Sequence, residues 1–324
     1  MPLIYVTSPI HEDVLKELST LGEVRLGYGS NAVSYQEIQN QVDAVFLRGG
    51  HLSAEMIAAS PKLRIVARHG AGYDNVDFKA AAELGIWVTN TPGENRRSVV
   101  EHVFSLLLGL CRKIQLASDQ TRNNVWAADR LSLTGIELEG RTLGLIGFGD
   151  IGQHVAPVAE AFGMTVLATD PAYNFSFDKR LVSLDTLLQS SDVVSLHVPL
   201  LPGTQNLIGS REIEKMKNGA ILINTSRGGV MDEIAVAEAL KRGKLGGAGI
   251  DVLAAENIDN ISPFKHNTFP IAELPNLIVT PHVAGQTNES LLRVGMSAVH
   301  AIAAVLNGET PKHPVNNPLL KSRG

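Results

Sequence analysis

Residues 140–170 read GRTLGLIGFGDIGQHVAPVAEAFGMTVLATD. Thr142 to Ile146 is an apolar run that predicts a buried strand, and Gly147, Gly149 and Gly152 follow it in G-x-G-x-x-G spacing. Residues 151–162 place Ile151, Val155, Val158, Ala159 and Phe162 on one helical face. Thr165 to Ala168 is a second short apolar run, closed by Asp170. Strand, glycine turn, helix and strand in this order are one unit of an open parallel sheet.

If a dinucleotide binds this unit, each polar or small residue has a distinct task. Gly147 makes the tight turn, Gly149 lets the backbone approach a pyrophosphate, and Gly152 lets the helix sit close to the sheet. The free N–H groups and dipole of the helix N-terminus favour the anion. Asp170 stands 18 residues past Gly152, a spacing suited to a carboxylate that accepts from the adenine ribose. A carboxylate there repels a 2′-phosphate, so NAD is expected rather than NADP. Glycine turns of this spacing also occur in enzymes that bind no nucleotide. The preceding strand, the following helix and Asp170 together carry the dinucleotide reading.

The 324 residues suffice for two domains of ordinary size, and 44% hydrophobic with 19% charged residues fits a soluble chain with a large core. A net charge of −5 gives no reason to expect nucleic acid or an anionic membrane as a partner. The single cysteine, Cys111, excludes an internal disulfide and suits a reducing compartment; it falls within an apolar helix and reads as a small buried hydrophobe. The N-terminus carries no signal-like segment. Around Val103 to Cys111 the longest apolar stretch is interrupted by Ser105 and Gly109. A cytoplasmic location is therefore expected.

Strands and helices alternate through the first ninety residues, with strands predicted at 3–6, 23–26, 44–47, 63–67 and 86–89. Ser34 with Glu37 has capping-box spacing, and Ser53 caps a helix over 54–59. Ligands of parallel sheets gather at the carboxyl ends of strands. Those ends hold Arg48, then Arg68, His69, Gly70 and Ala71, then Asn90 with Pro92, a partly cationic rim suited to a small anion. One long helix is predicted over 96–123, with Arg96 and Arg97 at its start; it would join the two domains. Residues 124–139 read as a loop with a lone Trp126, an aromatic expected to serve packing rather than function.

Beyond Asp170, further strands again end in polar residues: His197, Asn224 with Arg227, Asp251 leading to Glu256, and His282. Arginine can hold a carboxylate bidentately and polarise a carbonyl. Histidine exchanges a proton near neutral pH, and a neighbouring carboxylate favours its charged form. Reduction of a carbonyl would need protonated His282 and the reverse reaction its neutral form, so a direction-dependent pH profile is expected. Residues 257–276 are long for a plain connection and are expected to shape a lid or a subunit contact. A last helix is predicted over 287–308, and the proline-bearing tail should lie extended against the first domain.

The combined motifs resemble the D-isomer-specific 2-hydroxyacid dehydrogenase family, which includes phosphoglycerate dehydrogenases and hydroxypyruvate or glyoxylate reductases. The matching stretches are the glycine turn with Asp170, Asn224 to Asp232, Gly249 to Val252 leading to Glu256, and Thr280 to Gly285; Arg68 to Asp77, Asn90 to Gly93 and Glu101-His102 also fit. The resemblance implies a Rossmann NAD-binding domain, residues 101–290, inserted in a flavodoxin-like substrate domain formed by 1–100 and 291–324. It implies that Arg227 binds and polarises a 2-keto acid, that His282 is the acid/base and that Glu256 is its partner. The cofactor would be held by Gly147, Gly149, Asp150, Ile151, Gly152, Asp170, His197, Pro199, Thr204, Thr225, Ser226, Asp251 (at the nicotinamide carboxamide) and Gly285. The substrate would meet Arg48, His69, Gly70, Ala71 and Asn90. A homodimer joined through the cofactor domains is implied, and no metal.

The family often has proline after the catalytic glutamate, where this chain has Asn257. The chain stops at Gly324 without the regulatory extension of some phosphoglycerate dehydrogenases, so feedback through such a domain is not expected. Arg48, Arg68, Arg96 and Arg97 leave room for a substrate with a second anionic group, such as a phosphate or sulfonate. Two functions are consistent with these residues: an NAD-dependent dehydrogenase of 2-hydroxy acids, or a dinucleotide-sensing, corepressor-like interaction protein on the same fold.

Overall fold

The computed structural model describes residues 1–126, 130–173, 178–257 and 263–318. They form two units, Met1–Asn95 with Gly285–Gly324 and Arg96–Ala284. The short apolar runs of the first unit become β1 (Leu3–Val6), β2 (Glu23–Leu26), β3 (Ala44–Leu47), β4 (Ile65–Arg68) and β5 (Trp87–Thr89). They pair in parallel in the order β2-β1-β3-β4-β5, the flavodoxin-like order. β3 is buried at all four residues, as a strand covered on both faces must be.

The second unit holds β6 (Thr142–Ile146), β7 (Thr165–Thr169), β8 (Val193–Leu196), β9 (Ala220–Asn224), β10 (Leu245–Ile250) and β11 (Leu277–Val279) in the order β11-β10-β9-β8-β6-β7. Leu181 adds a one-residue parallel bridge to Ala168 at the outer edge of β7. Counting that bridge as a vestigial strand gives the order 3-2-1-4-5-6 of a dinucleotide fold with one further strand, β11, added at the far edge. The topological switch point therefore lies between β6 and β8, where the glycine turn and His197 meet.

Several local expectations change. The segment predicted as one helix over 96–123 is two, Arg96–Cys111 and Ile114–Arg122. The carbonyl of Cys111 accepts from the Ile136 N–H (2.9 Å), and Lys113 turns into the left-handed region at φ 52°. A returning segment takes the acceptor that continuing the helix would have used. Trp126 is 77% exposed and is not packed away among the described residues. The Ser34 hydroxyl donates to Gln36 Oε1 (2.7 Å) and makes no cap, whereas Ser53 does accept from the Met56 N–H (3.3 Å).

Helix Asn288–Leu306, rather than the 103–111 stretch, is long and apolar enough to cross a membrane by length and composition. It lies on the first sheet, burying Ala298, Val299, Ala301, Ile302 and Val305 with Ile4, Phe46 and Ile65. The tail extends the same sheet: the Val315 N–H donates to the Val88 carbonyl (2.8 Å), and Asn316 Oδ1 accepts from the Val88 N–H (2.9 Å). Within 257–276, residues 258–262 lie outside the described residues, while Phe269 and Leu274 are buried in the second core.

Candidate active site

β6 runs into Gly147 at φ 95°, where a Cβ would stand 2.7 Å from the His197 carbonyl. A Cβ on Gly152 would stand 2.3 Å from the Gly147 oxygen. Turn, strand end and helix thus touch at the backbone, and only glycine permits it. Gly149, the N-cap of helix Asp150–Ala161, has nothing within 4 Å of where its Cβ would be. An outside group can approach the free helix amides from that side. Asp170 braces the turn, its two oxygens accepting from the Phe148 N–H (2.8 Å) and the Ala172 N–H (2.9 Å). Each oxygen keeps a further lone pair for a hydroxyl. Thr225 Oγ1, at the end of β9, is buried without a hydrogen-bond partner among the described residues, an acceptor or donor left for a ligand.

Other residues expected at the cofactor are used mainly by the protein. Asp150 pairs with Arg96 (2.6 Å), both partly exposed, and Ile151 packs into the second core. The Thr204 hydroxyl donates to the Pro199 carbonyl (2.5 Å) and closes its own loop. Gly285 begins the returning part of the first unit. His197 bonds through Nε2 to Ser195 Oγ (2.9 Å), and burial of its ring pushes it down to about 4.

Arg227, Glu256 and His282 follow β9, β10 and β11. The fully buried Asn224 shapes the first loop: its Oδ1 accepts from the Ser226 N–H (3.0 Å) and its Nδ2 donates to the Arg227 carbonyl (2.9 Å). Gly228 presses this loop against the next one, since a Cβ there would lie 2.0 Å from the Leu253 carbonyl carbon. Glu256 Oε1 accepts from the Leu253 N–H (2.6 Å), and its Oε2 meets His282 Nδ1 at 2.5 Å. An ionised carboxylate only accepts, so Nδ1 carries the hydrogen and Nε2 is the atom left to exchange a proton. The His282 side chain is half exposed, that of Glu256 mostly buried.

Asp251 is 1% exposed. Its Oδ1 accepts from the Thr280 hydroxyl (2.6 Å) and the Val283 N–H (2.9 Å), its Oδ2 from the Ala284 N–H (2.8 Å). Burial pushes this carboxyl up, but His102, Thr280 and the two amides outweigh it and hold it below the ordinary range. Its oxygens serve the turn that carries His282.

Glu233, the first residue of helix Glu233–Lys241, was not among the expected site residues. It is 7% exposed, and its Oε1 accepts from the Ala254 N–H (2.7 Å) beside Glu256. Burial raises its pKa against the lowering effect of that N–H, and the charges of Glu256 and Asp232 add to the rise. Its position directly after Asp232, the last residue of a motif already singled out, was the available signal. Glu233→Ala leaves the Ala254 N–H without its acceptor and is expected to cost about 1–3 kcal/mol, measured by urea unfolding; an unchanged midpoint would contradict this.

In the first unit, Gly70 (φ 139°) and Thr91 are tied by two bonds of 3.0 Å, and Asn90 Nδ2 donates to the Ala71 carbonyl (2.6 Å). Two of the arginines expected to leave room for a second anion are bonded to protein groups there. Arg48 donates to the Pro9 carbonyl and to Gln286 Oε1 (2.6 Å), and Arg68 to Asn75 Oδ1 (3.1 Å) and the His69 carbonyl. His69 is buried; burial first, then Arg48 and Arg68, push it down to about 3.

His69 and His197 together give a stability prediction. Their folded values lie below the ordinary 6.5, so the unfolded chain binds protons that the folded chain refuses. The stabilisation is complete above pH 6.5 and is lost as pH falls toward 4 and 3, with an upper bound of about 3–5 kcal/mol per histidine. The melting temperature should therefore fall steadily between pH 6.5 and 4; a flat profile would contradict the buried neutral state.

Residues 104–284 match the family described as D-isomer specific 2-hydroxyacid dehydrogenase, NAD binding domain. The glyoxylate reductase of Korarchaeum cryptofilum is 37% identical over 99% of this chain and 98% of its own length. This chain belongs to the D-isomer-specific 2-hydroxyacid dehydrogenase family, and its second unit carries the NAD-binding domain. The D-3-phosphoglycerate dehydrogenase of Methanocaldococcus jannaschii is 39% identical over 98% of this chain, which spans only 60% of that protein's length. Among solved structures, the D-lactate dehydrogenase of Aquifex aeolicus, complexed with NAD and lactic acid, superposes with a TM-score of 0.82 at 31% identity, covering 94% of this chain and 96% of that one.

Proposed function

We propose that this protein reduces small, unphosphorylated 2-keto acids to D-2-hydroxy acids with NADH. The carrying observation is the 2.5 Å contact between Glu256 and His282, which fixes a histidine with one ring nitrogen presented for proton exchange. When bound, the nicotinamide cofactor supplies the hydride. Arg227 holds the substrate carboxylate and polarises the carbonyl. His282 delivers its Nε2 proton to the carbonyl oxygen, and Glu256 stabilises the imidazolium beforehand. Gly147, Gly149, Gly152, Asp170 and Thr225 would hold the dinucleotide.

The substrate assignment rests on the rim cations. Arg48, Arg68 and Arg96 are bonded to protein groups, which favours glyoxylate or hydroxypyruvate over a phosphorylated relative. Under saturating NADH, kcat/KM for glyoxylate or hydroxypyruvate should exceed that for phosphohydroxypyruvate; the reverse order would overturn the substrate class.

Asp170 supports the choice of NADH. Asp170→Ala should weaken NADH binding about 10- to 100-fold, the worth of a charge-assisted hydrogen bond, and narrow the gap to NADPH in a fluorescence titration. Equal affinity for both cofactors in the unaltered protein would contradict the assignment.

The homodimer reading has its own support in the second unit. Helix Ile114–Arg122 buries none of its residues, and Ile114, Leu116, Val125, Trp126, Leu131 and Ile136 are all exposed. A second copy covering this segment would remove that apolar surface from water.

A further inference from the structure

We propose that His102 is a positioning residue for proton transfer: through the Thr280 hydroxyl it holds the Asp251 carboxylate, which in turn fixes the left-handed turn bearing His282. The inference deepens the function proposed above and rests on His282 as the acid/base.

The direction of each bond follows from counting hydrogens. Thr280 has one hydroxyl hydrogen, and at 2.6 Å it goes to Asp251 Oδ1, because an ionised carboxylate has none to give. The same Thr280 oxygen lies 2.9 Å from His102 Nε2. With its hydrogen spent, Thr280 can only accept there, so His102 carries its proton on Nε2 and donates. His102 Nε2 also lies 3.5 Å from Asp251 Oδ1, so its N–H dipole faces the carboxylate without a second full bond. His102 is anchored on helix Arg96–Cys111, which buries Val99, Val103, Phe104, Leu106 and Leu107 and packs against β9, β10 and β11.

The turn needs such support. His282 sits at φ 54°, a conformation that a residue with a Cβ adopts at a cost of about 1–2 kcal/mol. Three bonds to one residue hold it there: the His282 N–H to the Asp251 carbonyl (2.8 Å), and the Val283 and Ala284 N–H groups to the Asp251 carboxylate. If that carboxylate rotates away, two buried acceptor sites are lost together and the imidazole loses its fixed approach. Thr280 and His102 are the side chains that stop the rotation. Glu256 orients the His282 ring from one side, and the His102–Thr280–Asp251 chain holds its backbone from the other.

The test uses the full chain, without cofactor or substrate, in four variants: His102→Leu, Thr280→Val, the two combined, and His102→Gln. Glutamine presents an N–H near the position of the histidine Nε2 and should stand in for it. Amide hydrogen exchange is followed at Val283 and Ala284, with strand β6 as internal reference, and kcat and the NADH KM are measured in parallel. His102→Leu and Thr280→Val should each speed exchange at Val283 and Ala284 about 10- to 100-fold, the worth of a bond to a charged group. The double variant should be no worse than either single one. His102→Gln should recover most of the protection. kcat should follow the exchange rates while the NADH KM stays unchanged. Unchanged exchange at Val283 and Ala284, a rise equally large in β6, or failure of His102→Gln to rescue would each overturn the proposal. If exchange behaves as expected but the unaltered protein turns over no 2-keto acid, the bonding chain stands and the assigned reaction falls.

Discussion

Replacing His282 with asparagine is expected to lower kcat by about 10²- to 10⁴-fold, the usual worth of a positioned acid or base, and to leave NADH affinity within about twofold. Asparagine keeps a polar side chain that can still donate to Glu256, and it tolerates the left-handed backbone at φ 54° better than most residues. Structure and cofactor binding should therefore survive while the proton donor is lost. Glu256→Gln should behave similarly but more mildly: the amide can still orient the ring, yet it no longer stabilises the imidazolium. Kinetics at saturating NADH, with cofactor affinity from a separate titration, distinguish the two effects. Wild-type turnover in His282→Asn would remove the residue from the chemistry altogether.

The second large effect is expected at Gly228, whose place is set by backbone packing. Its added Cβ would lie 2.0 Å from Leu253 C, 2.2 Å from Ala254 N and 2.5 Å from Leu253 O, all backbone atoms that no rotamer change can clear. Gly228→Ala must push apart the loops that carry Arg227 and Glu256. Overpacking of this kind costs about 1–3 kcal/mol, and a shift of about 1 Å between catalytic groups can lower turnover about 10²-fold. A melting curve and kcat from the same preparation check both parts. Native stability together with full activity would show that the two loops can separate without consequence.

How much of this was legible beforehand depends on the range of the interaction. The βαβ unit around Gly147 could be read because strand, turn and helix are contiguous, and each glycine answers a local steric demand. The strand-end residues Arg227, Glu256 and His282 stood out because parallel topology gathers strand ends at one edge of the sheet, and the family resemblance gave them their roles, although the Glu256–His282 contact spans 26 positions. The break after Cys111 could not be read: the apolar period continues through it, and the competing donor, Ile136, comes from 25 residues on. Trp126 was misjudged because an aromatic residue packs by default, and nothing local shows which side its partner is on. The partners of Arg48 could not be read either: charge at a strand end is visible in a sequence, while the carbonyl of Pro9 and the amide of Gln286 that it meets are not. Glu233 and His102 act through hydrogen bonds to groups that are distant in sequence, which residue type and spacing do not encode.

The most direct test of the proposed reaction is NADH absorbance after addition of glyoxylate or hydroxypyruvate to the purified protein, with NADPH in a parallel cuvette. The expected result is steady NADH consumption with formation of the D-2-hydroxy acid, and a rate with NADPH lower by about tenfold or more, as repulsion between Asp170 and a 2′-phosphate requires. A flat NADH trace across a panel of 2-keto acids, from protein that still binds NADH, would contradict it and would mark the chain as a dinucleotide sensor that performs no hydride transfer.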